Sequence, residues 1–361
     1  MKKKMIVILT LLAAFFLAAM VFKPPVTVSA LSPIAAEKSK PSLNFQAAFD
    51  YSSQYNGLGV IATVNGEIVY EKYNQGYNKD SHAPIHSGTK GFWGPVAALM
   101  IQEELLQGYD QKVSDILTEW KGTNKQDITI RQIMELSSGI GNDVQNLQGL
   151  TPTAKNLYSH AVNKTFLVAK PGTSFQYGPV NYYVMGAVMQ RVLKNSGSIY
   201  QTPLEYLNAN FLFPMGIHYE NWLHDAAGNP HMPNGADISL REWVKWGQFI
   251  LQKGEWDGKQ LVRPDLMEEL FKPSITNPGH GLFVWLNKPQ GVGGNQKVSA
   301  PVGSYAGFMY YNGYDEIIGI LGAGPNRLYI VPSLNMVIAR QTKISGEGFI
   351  DHEFLKLLFE Q

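Results

Sequence analysis

Ser87 and Lys90 lie three residues apart in His86-Ser87-Gly88-Thr89-Lys90-Gly91. In the first turns of a helix, residues at this spacing share a face, so the amine can reach the hydroxyl. A desolvated, neutral lysine can then take the hydroxyl proton and make Ser87 a nucleophile. The positive end of a helix favours the negative charge that develops there. The spacing is common by chance, and a serine at a helix start also serves as a cap. A second candidate is Tyr177, in Phe175-Gln176-Tyr177-Gly178-Pro179, between the turn Lys170-Pro171-Gly172-Thr173 and a helix over Val184 to Leu193. A hydroxyl so placed could face a cleft, although most tyrosines are packing residues with a wet tip. A third is the backbone of Gly319-Ile320-Leu321-Gly322-Ala323-Gly324-Pro325, where a small-residue strand edge allows close approach and an N–H could stabilise an oxyanion.

Other chemistries lack their signatures. The sequence contains no Gly-x-Ser-x-Gly, no His-Glu-x-x-His, and no Walker or Rossmann glycine pattern. His82, His86 and His280 read as loop residues rather than metal ligands, and neither a metal nor a cofactor is expected. With no cysteine there can be no disulfide, no thiolate nucleophile and no Cys-based zinc site. A formal charge of +1 over 361 residues argues against electrostatic binding of nucleic acid, which leaves a small-molecule partner as the expectation. Oligomeric state leaves no mark in the sequence.

The elements that must position these residues come from both ends of the chain. Gly59 to Val64 and Glu67 to Tyr73 are β-rich runs joined by Asn65-Gly66, which predicts a hairpin. Arg327 to Val331 and Asn335 to Gln341 form a matching pair around Pro332-Ser333-Leu334. Phe45, Ala48, Phe49 and Ser52 mark one short amphipathic helix, and Asp351 to Phe359 another. The middle of the chain reads as mainly helical. Ala97 to Leu106 is an apolar helix that Pro95 should kink. Ser239-x-x-Glu242 is a capping box opening a helix over Leu240 to Leu251. The predicted fold class is α+β, an antiparallel sheet from both chain ends flanked by terminal helices, with a mainly helical insertion beside it.

Residues 1–30 read as an export signal. Lys2, Lys3 and Lys4 precede an apolar run from Met5 to Phe22, and Val28-Ser29-Ala30 offers small residues for cleavage. The alternative is a retained membrane anchor. Either way the body is expected outside the cytoplasm, periplasmic or secreted. Removing the segment takes four lysines and no acid, changing the formal charge from +1 to −3. Residues 31–41 read as a linker. The remainder, 42–361, reads as a catalytic domain with a sheet part at about 42–86 and 275–361 and a helical part at about 88–270.

Taken in order, these segments resemble the serine β-lactamase and penicillin-binding-protein superfamily, in particular the branch with class C β-lactamases, certain esterases and nylon-oligomer amidases. Ser87-x-x-Lys90 matches the first family motif. Asp127 through Ser137-Ser138-Gly139 matches the segment leading to a Ser-Gly turn. Phe175-x-Tyr177, with Gly186 nine residues on, matches the second motif. Gly235-Ala236-Asp237-Ile238-Ser239 with Trp246-Gly247-Gln248 looks like a characteristic helical stretch, and Gly322-Ala323-Gly324 through Pro332 like the final strand region.

The resemblance implies an acylated Ser87, with Lys90 and Tyr177 sharing general-base and proton-shuttle work. It also implies an oxyanion hole from the backbone N–H groups of Ser87 and a residue near Ala323. Two departures bear on the substrate. Pro179 stands where β-lactamases of this branch carry the Asn of Tyr-x-Asn, with Asn181 two residues later, and the Lys-Thr-Gly or His-x-Gly triad before Pro332 is missing. The expected activity is therefore an exported serine hydrolase acting on an ester or amide. The alternatives are a true β-lactamase or D,D-peptidase and, in another class, an inactive cell-wall-peptide binder. Trp120, Tyr182-Tyr183, Trp222, Trp285 and Tyr310-Tyr311 are candidates to line an apolar acyl pocket.

Overall fold

Asn65 and Gly66 adopt φ values of 52° and 86°, the two left-handed positions that a tight hairpin turn requires. They join β1 (Gly57–Val64) to β2 (Glu67–Tyr73), as the sequence predicts. The computed structural model describes residues 42–142, 144–147, 154–289, 308–342 and 348–360. The expected export segment and linker lie outside the described residues, among which no helix is long and apolar enough to cross a membrane.

The far end of the chain supplies β8 (Trp285–Leu286), β9 (Ile318–Gly322), β10 (Asn326–Val331) and β11 (Met336–Thr342). With the first hairpin they form one antiparallel sheet, ordered β2-β1-β11-β10-β9-β8. The two chain ends meet where β1 pairs with β11, Ile61 opposite Ala339. Helix α1 (Phe45–Gln54) is capped by Asn44 and buries Ala48, Phe49 and Ser52, as the spacing predicts. It packs on β1 and on α10 (Asp351–Phe359).

Between the sheet halves run α2 (Trp93–Gln102), α3 (Ile130–Met134), α4 (Val144–Leu147), α5 (Leu157–Asn163), α6 (Val180–Asn195), α7 (Pro203–Leu207), α8 (Leu240–Leu251) and α9 (Pro264–Glu269). Three features differ from the sequence reading. Helix α2 begins and ends earlier than expected. It closes at Glu104, whose φ of 59° lets the Leu105 N–H bond back to Met100 O. Pro95 is its third residue, where a missing N–H costs no helical bond, so the expected interruption falls at the helix start. The third difference is a small sheet in which β5 (Ala236–Ser239) and β4 (Tyr219–Trp222), both inside the region read as helical, join β3 (His82–Pro84) just before it. Its strands are too short to show an alternating pattern. A further two-stranded turn joins β6 (Glu255–Trp256) and β7 (Lys259–Gln260).

Helix α8 lies against β1, β10 and β11 and buries Trp243, Trp246, Phe249 and Ile250. Its start is fixed by the Ser239 hydroxyl, which accepts the Glu242 N–H at 3.3 Å. Replacing Ser239 with Ala should cost about 1 kcal/mol, the usual worth of an N-cap, and Thr should retain most of it. Urea unfolding of the two variants checks this; equal losses would show that the hydroxyl is not the cap.

Candidate active site

The site is built around the bond expected from Ser-x-x-Lys. Lys90 Nζ lies 2.8 Å from Ser87 Oγ. Both residues belong to a 3₁₀ helix, His86–Phe92, that runs directly into α2. His86 enters it at a φ of 48°, an uncommon conformation for a non-glycine residue that turns the chain sharply before Ser87. Surrounding elements hold the segment. Ile85 N–H donates to Ala236 O, Thr89 Oγ1 accepts the Ala236 N–H, and Trp246 Nε1 donates to Gly91 O.

Strand β9 presses on this segment from the sheet. A Cβ on Gly322 would lie 2.1 Å from Ile85 O and 3.1 Å from Gly88 N, so only glycine fits there. The small-residue strand end noted in the sequence therefore admits the serine-bearing loop itself.

Lys90 is only 7 % exposed. Its second bond runs to Pro233 O at 2.9 Å, and its Nζ sits 5.1 and 5.4 Å from the ring centres of Tyr182 and Tyr177. Among the described residues it has no ion-pair partner within 4.0 Å. Burial without a counter-charge disfavours the ammonium and brings the amine down to about 7. Tyr177 completes the cluster, its ring facing Lys90 Nζ and its phenol within electrostatic reach of Ser87. Burial raises that phenol, while the Ser87 hydroxyl and the charge of Arg327 pull it back.

The turn that presents Tyr177 is held by Asn142, which sequence reasoning missed. Its Nδ2 donates to Gln176 O at 3.1 Å and its Oδ1 accepts the Val180 N–H at 3.2 Å, so it caps α6 from outside. Asn181, the possible substitute for the family Asn, is fully buried and accepts the Ser138 hydroxyl at 2.6 Å. Pro233 O, a backbone group without a sequence signature, contacts Lys90 instead.

Beside Ser87 and Lys90 is a narrow cavity walled by Tyr182, Phe283, Trp285, Ile320 and Leu321. Of the aromatic residues proposed to line it, Tyr182 and Trp285 do so. Trp120, Trp222, Tyr183 and Tyr310 are buried elsewhere, and Tyr311 is exposed. Ala323 lies in the exposed turn after β9. His280 is buried against Phe175 and Trp285, and burial holds its imidazole neutral, down to about 3. The arrangement offers a hydroxyl in contact with a base that is half-neutral near pH 7, with a phenol beside them. Such a set can transfer an acyl group.

The beta-lactamase family model matches residues 44–230, and the chain belongs to that family. It is similar to protein flp of Staphylococcus aureus, 27 % identical over 246 residues that cover 61 % of this chain and 48 % of that protein. The chain thus spans about half the length of that relative. Among solved structures it is similar to a Bacillus anthracis protein assigned as a 6-aminohexanoate-dimer hydrolase. The TM-score is 0.65 at 18 % identity, covering 85 % of this chain and 78 % of that one. Another is EstCE1, a hydrolase with promiscuous acyltransferase activity, with a TM-score of 0.62 at 14 % identity over 86 % and 95 % of the two chains. The α+β fold expected from the sequence is the one these structures share.

The buried amine has a consequence for stability. Its folded pKa lies below that of a free lysine, so the folded state binds fewer protons than the unfolded chain between about 7 and about 10.4. This group's contribution therefore rises with pH across that window, and it is most unfavourable below 7. Lys90→Met should be more stable than the parent at pH 6, by about 1 kcal/mol or more, with the gain shrinking toward pH 10. Denaturant unfolding at both pH values checks this; a variant less stable at pH 6 would contradict a desolvated amine.

Proposed function

We propose that this chain is a serine hydrolase that cleaves uncharged esters or amides through an acyl-enzyme on Ser87. The observation that carries the reading is the 2.8 Å contact between Ser87 Oγ and a lysine amine brought to about 7. Lys90 takes the hydroxyl proton as Oγ attacks the substrate carbonyl carbon. The carbonyl electron pair moves onto oxygen, held by the N–H groups of Ser87 and Ala323. The tetrahedral intermediate collapses, the acyl group stays on Oγ, and Tyr177 relays the proton from Lys90 to the leaving oxygen or nitrogen. Water, deprotonated by the same pair, then releases the acid.

Ala323 is the favoured second donor because its nitrogen is bonded to the carbonyl carbon of Gly322, the residue packed on Gly88 N. The hydrolase and acyltransferase activities in the names of the structural neighbours support the chemistry. The charged n-region and apolar run at residues 1–30 support export to the periplasm or exterior.

The apolar wall supports an uncharged substrate. Ile320 and Leu321 precede Gly322, the strand end that meets the Ser87 loop, and neither side chain can donate a hydrogen bond to a carboxylate. Losing one charge-assisted bond to a carboxylate costs about 1.5–3 kcal/mol, roughly 10- to 150-fold. The β-lactamase or D,D-peptidase reading needs that grip.

p-Nitrophenyl butyrate should therefore be turned over with higher kcat/KM than a cephalosporin, with Ser87→Ala as the blank. Tyr177→Phe, which keeps the ring packing, should lower the ester rate by roughly 10²–10⁴-fold. Cephalosporin hydrolysis above the ester rate would favour the β-lactamase reading. A Ser87→Ala protein that keeps its ester turnover would remove Ser87 from the chemistry. No turnover of any substrate by the parent would favour the inactive binder.

A further inference from the structure

A buried ion pair sits behind the site, and the acyl-transfer chemistry does not use it directly. Arg327 on β10 is 2 % exposed and Asp351, the first residue of α10, is fully buried. Arg327 Nε donates to Asp351 Oδ1 at 2.5 Å and Nη2 to Oδ2 at 3.1 Å, and Tyr329 Oη donates to the same carboxylate at 2.5 Å. A second buried arginine, Arg340, lies across the ladder from Arg327. Taking two cations and one acid out of water is costly, and a pair of apolar residues often serves stability as well. The cluster invites a reason beyond packing.

The remaining bonds of these arginines supply one. Arg327 Nη1 donates to Gly322 O at 2.7 Å and to Asn326 O at 3.1 Å. Arg340 Nη1 donates to Pro325 O. Asn326 Nδ2 donates to Ala323 O at 2.7 Å. Every carbonyl of the 322–326 turn except that of Gly324 is thus drawn toward a fixed donor. A trans peptide points its C=O and N–H in opposite directions. With Gly322 O held by the Arg327 guanidinium on the α10 side, the Ala323 N–H must face the other way. On that other face of β9, Gly322 packs against Ile85 O and Gly88 N, beside Ser87.

We infer that Arg327 is a positioning residue that aims the Gly322–Ala323 peptide, so that the Ala323 N–H meets the oxyanion formed at Ser87. Asp351 holds the guanidinium in place from the start of α10 and balances its charge. The C-terminal helix thereby becomes part of the site's support, although it touches no reacting atom. The inference rests on the acyl-enzyme reading above. The charge of Arg327 also reaches the Tyr177 phenol and favours its ionised form.

The test compares p-nitrophenyl butyrate with its thiono analogue, in which C=S replaces C=O and the leaving group is unchanged. Sulfur is a weak acceptor on a longer bond, so N–H groups aimed at an oxyanion favour the oxygen ester. The oxo/thiono ratio of kcat/KM is independent of the fraction of active protein, so general loss of structure leaves it unmoved. The parent should favour the oxo ester by tenfold or more. Arg327→Met in an Asp351→Asn background removes both charges of the ion pair together, while Arg340 keeps its bonds to Ser52 Oγ and Tyr55 O, and its ratio should fall about tenfold, with kcat lost more than KM. If that protein does not fold, Arg327→Lys is read instead. Lysine lacks the planar fork that serves Asp351 and Gly322 together, and the ratio should fall at least threefold.

A parent ratio near one, or an unchanged ratio in whichever folded variant is read, overturns the positioning role while leaving Ser87-dependent turnover intact. Absence of Ser87-dependent turnover in the parent overturns both this inference and the hydrolase reading.

Discussion

Burying the Lys90 amine without an acid is the constraint on which the rest of the site depends. A lysine in water is charged and useless as a base at neutral pH. Here its tip is enclosed by Tyr177, Tyr182 and the Pro233 carbonyl, and burial alone brings the amine to about 7. A carboxylate in the shell would pair with the ammonium and raise the amine again. The aromatic walls are therefore as much part of the base as the nitrogen, because they keep water and counter-charge away. The cost falls on stability, and the apolar mass of α8 and the six-stranded sheet helps to offset it.

Geometry is maintained from two sides. The Ser87 segment is clamped by β5 and α8 through Ala236 and Trp246, and the Tyr177 turn by Asn142. On the sheet side, β9 lies so close to Ile85 and Gly88 that a methyl group would not fit at Gly322. Both walls are set by elements that arrive from distant parts of the chain. A small shift of β10 relative to β9 would be felt at the serine; Arg327 lies at that seam, and Arg340 reaches the Pro325 carbonyl of the connecting turn from β11. The family assignment accounts for the arrangement of strands and helices, and the apolar residues Ile320 and Leu321 line the cleft.

Much of this was legible in local sequence. Asn65-Gly66 between two β-rich runs, the Ser239 cap, and the apolar spacing of α1 and α10 each carry their instruction within a few residues. Ser87 and Lys90 were legible for the same reason, since a helical turn brings them together. The small sheet β3-β5-β4 was not, because three- and four-residue strands are made by pairing across the fold. Pro233 O is a backbone atom, invisible to any reading by residue type. Asn142 acts on a turn more than thirty residues away. The Arg327–Asp351 pair joins a strand and a helix that lie 24 residues apart, with no local sign that these two side chains meet. In each case the missing information was register or long-range contact.

The central claim is that Ser87 is activated by a lysine that loses its proton near neutrality. The most direct measurement is the pH dependence of covalent labelling by a fluorophosphonate, followed by intact mass and peptide mapping. The account predicts one adduct per chain, located on Ser87. Its second-order rate should rise with pH through a single midpoint near 7 and level off above it, as the Lys90 amine becomes neutral. An adduct on another residue, or a labelling rate that is flat across pH 5 to 9, would contradict it.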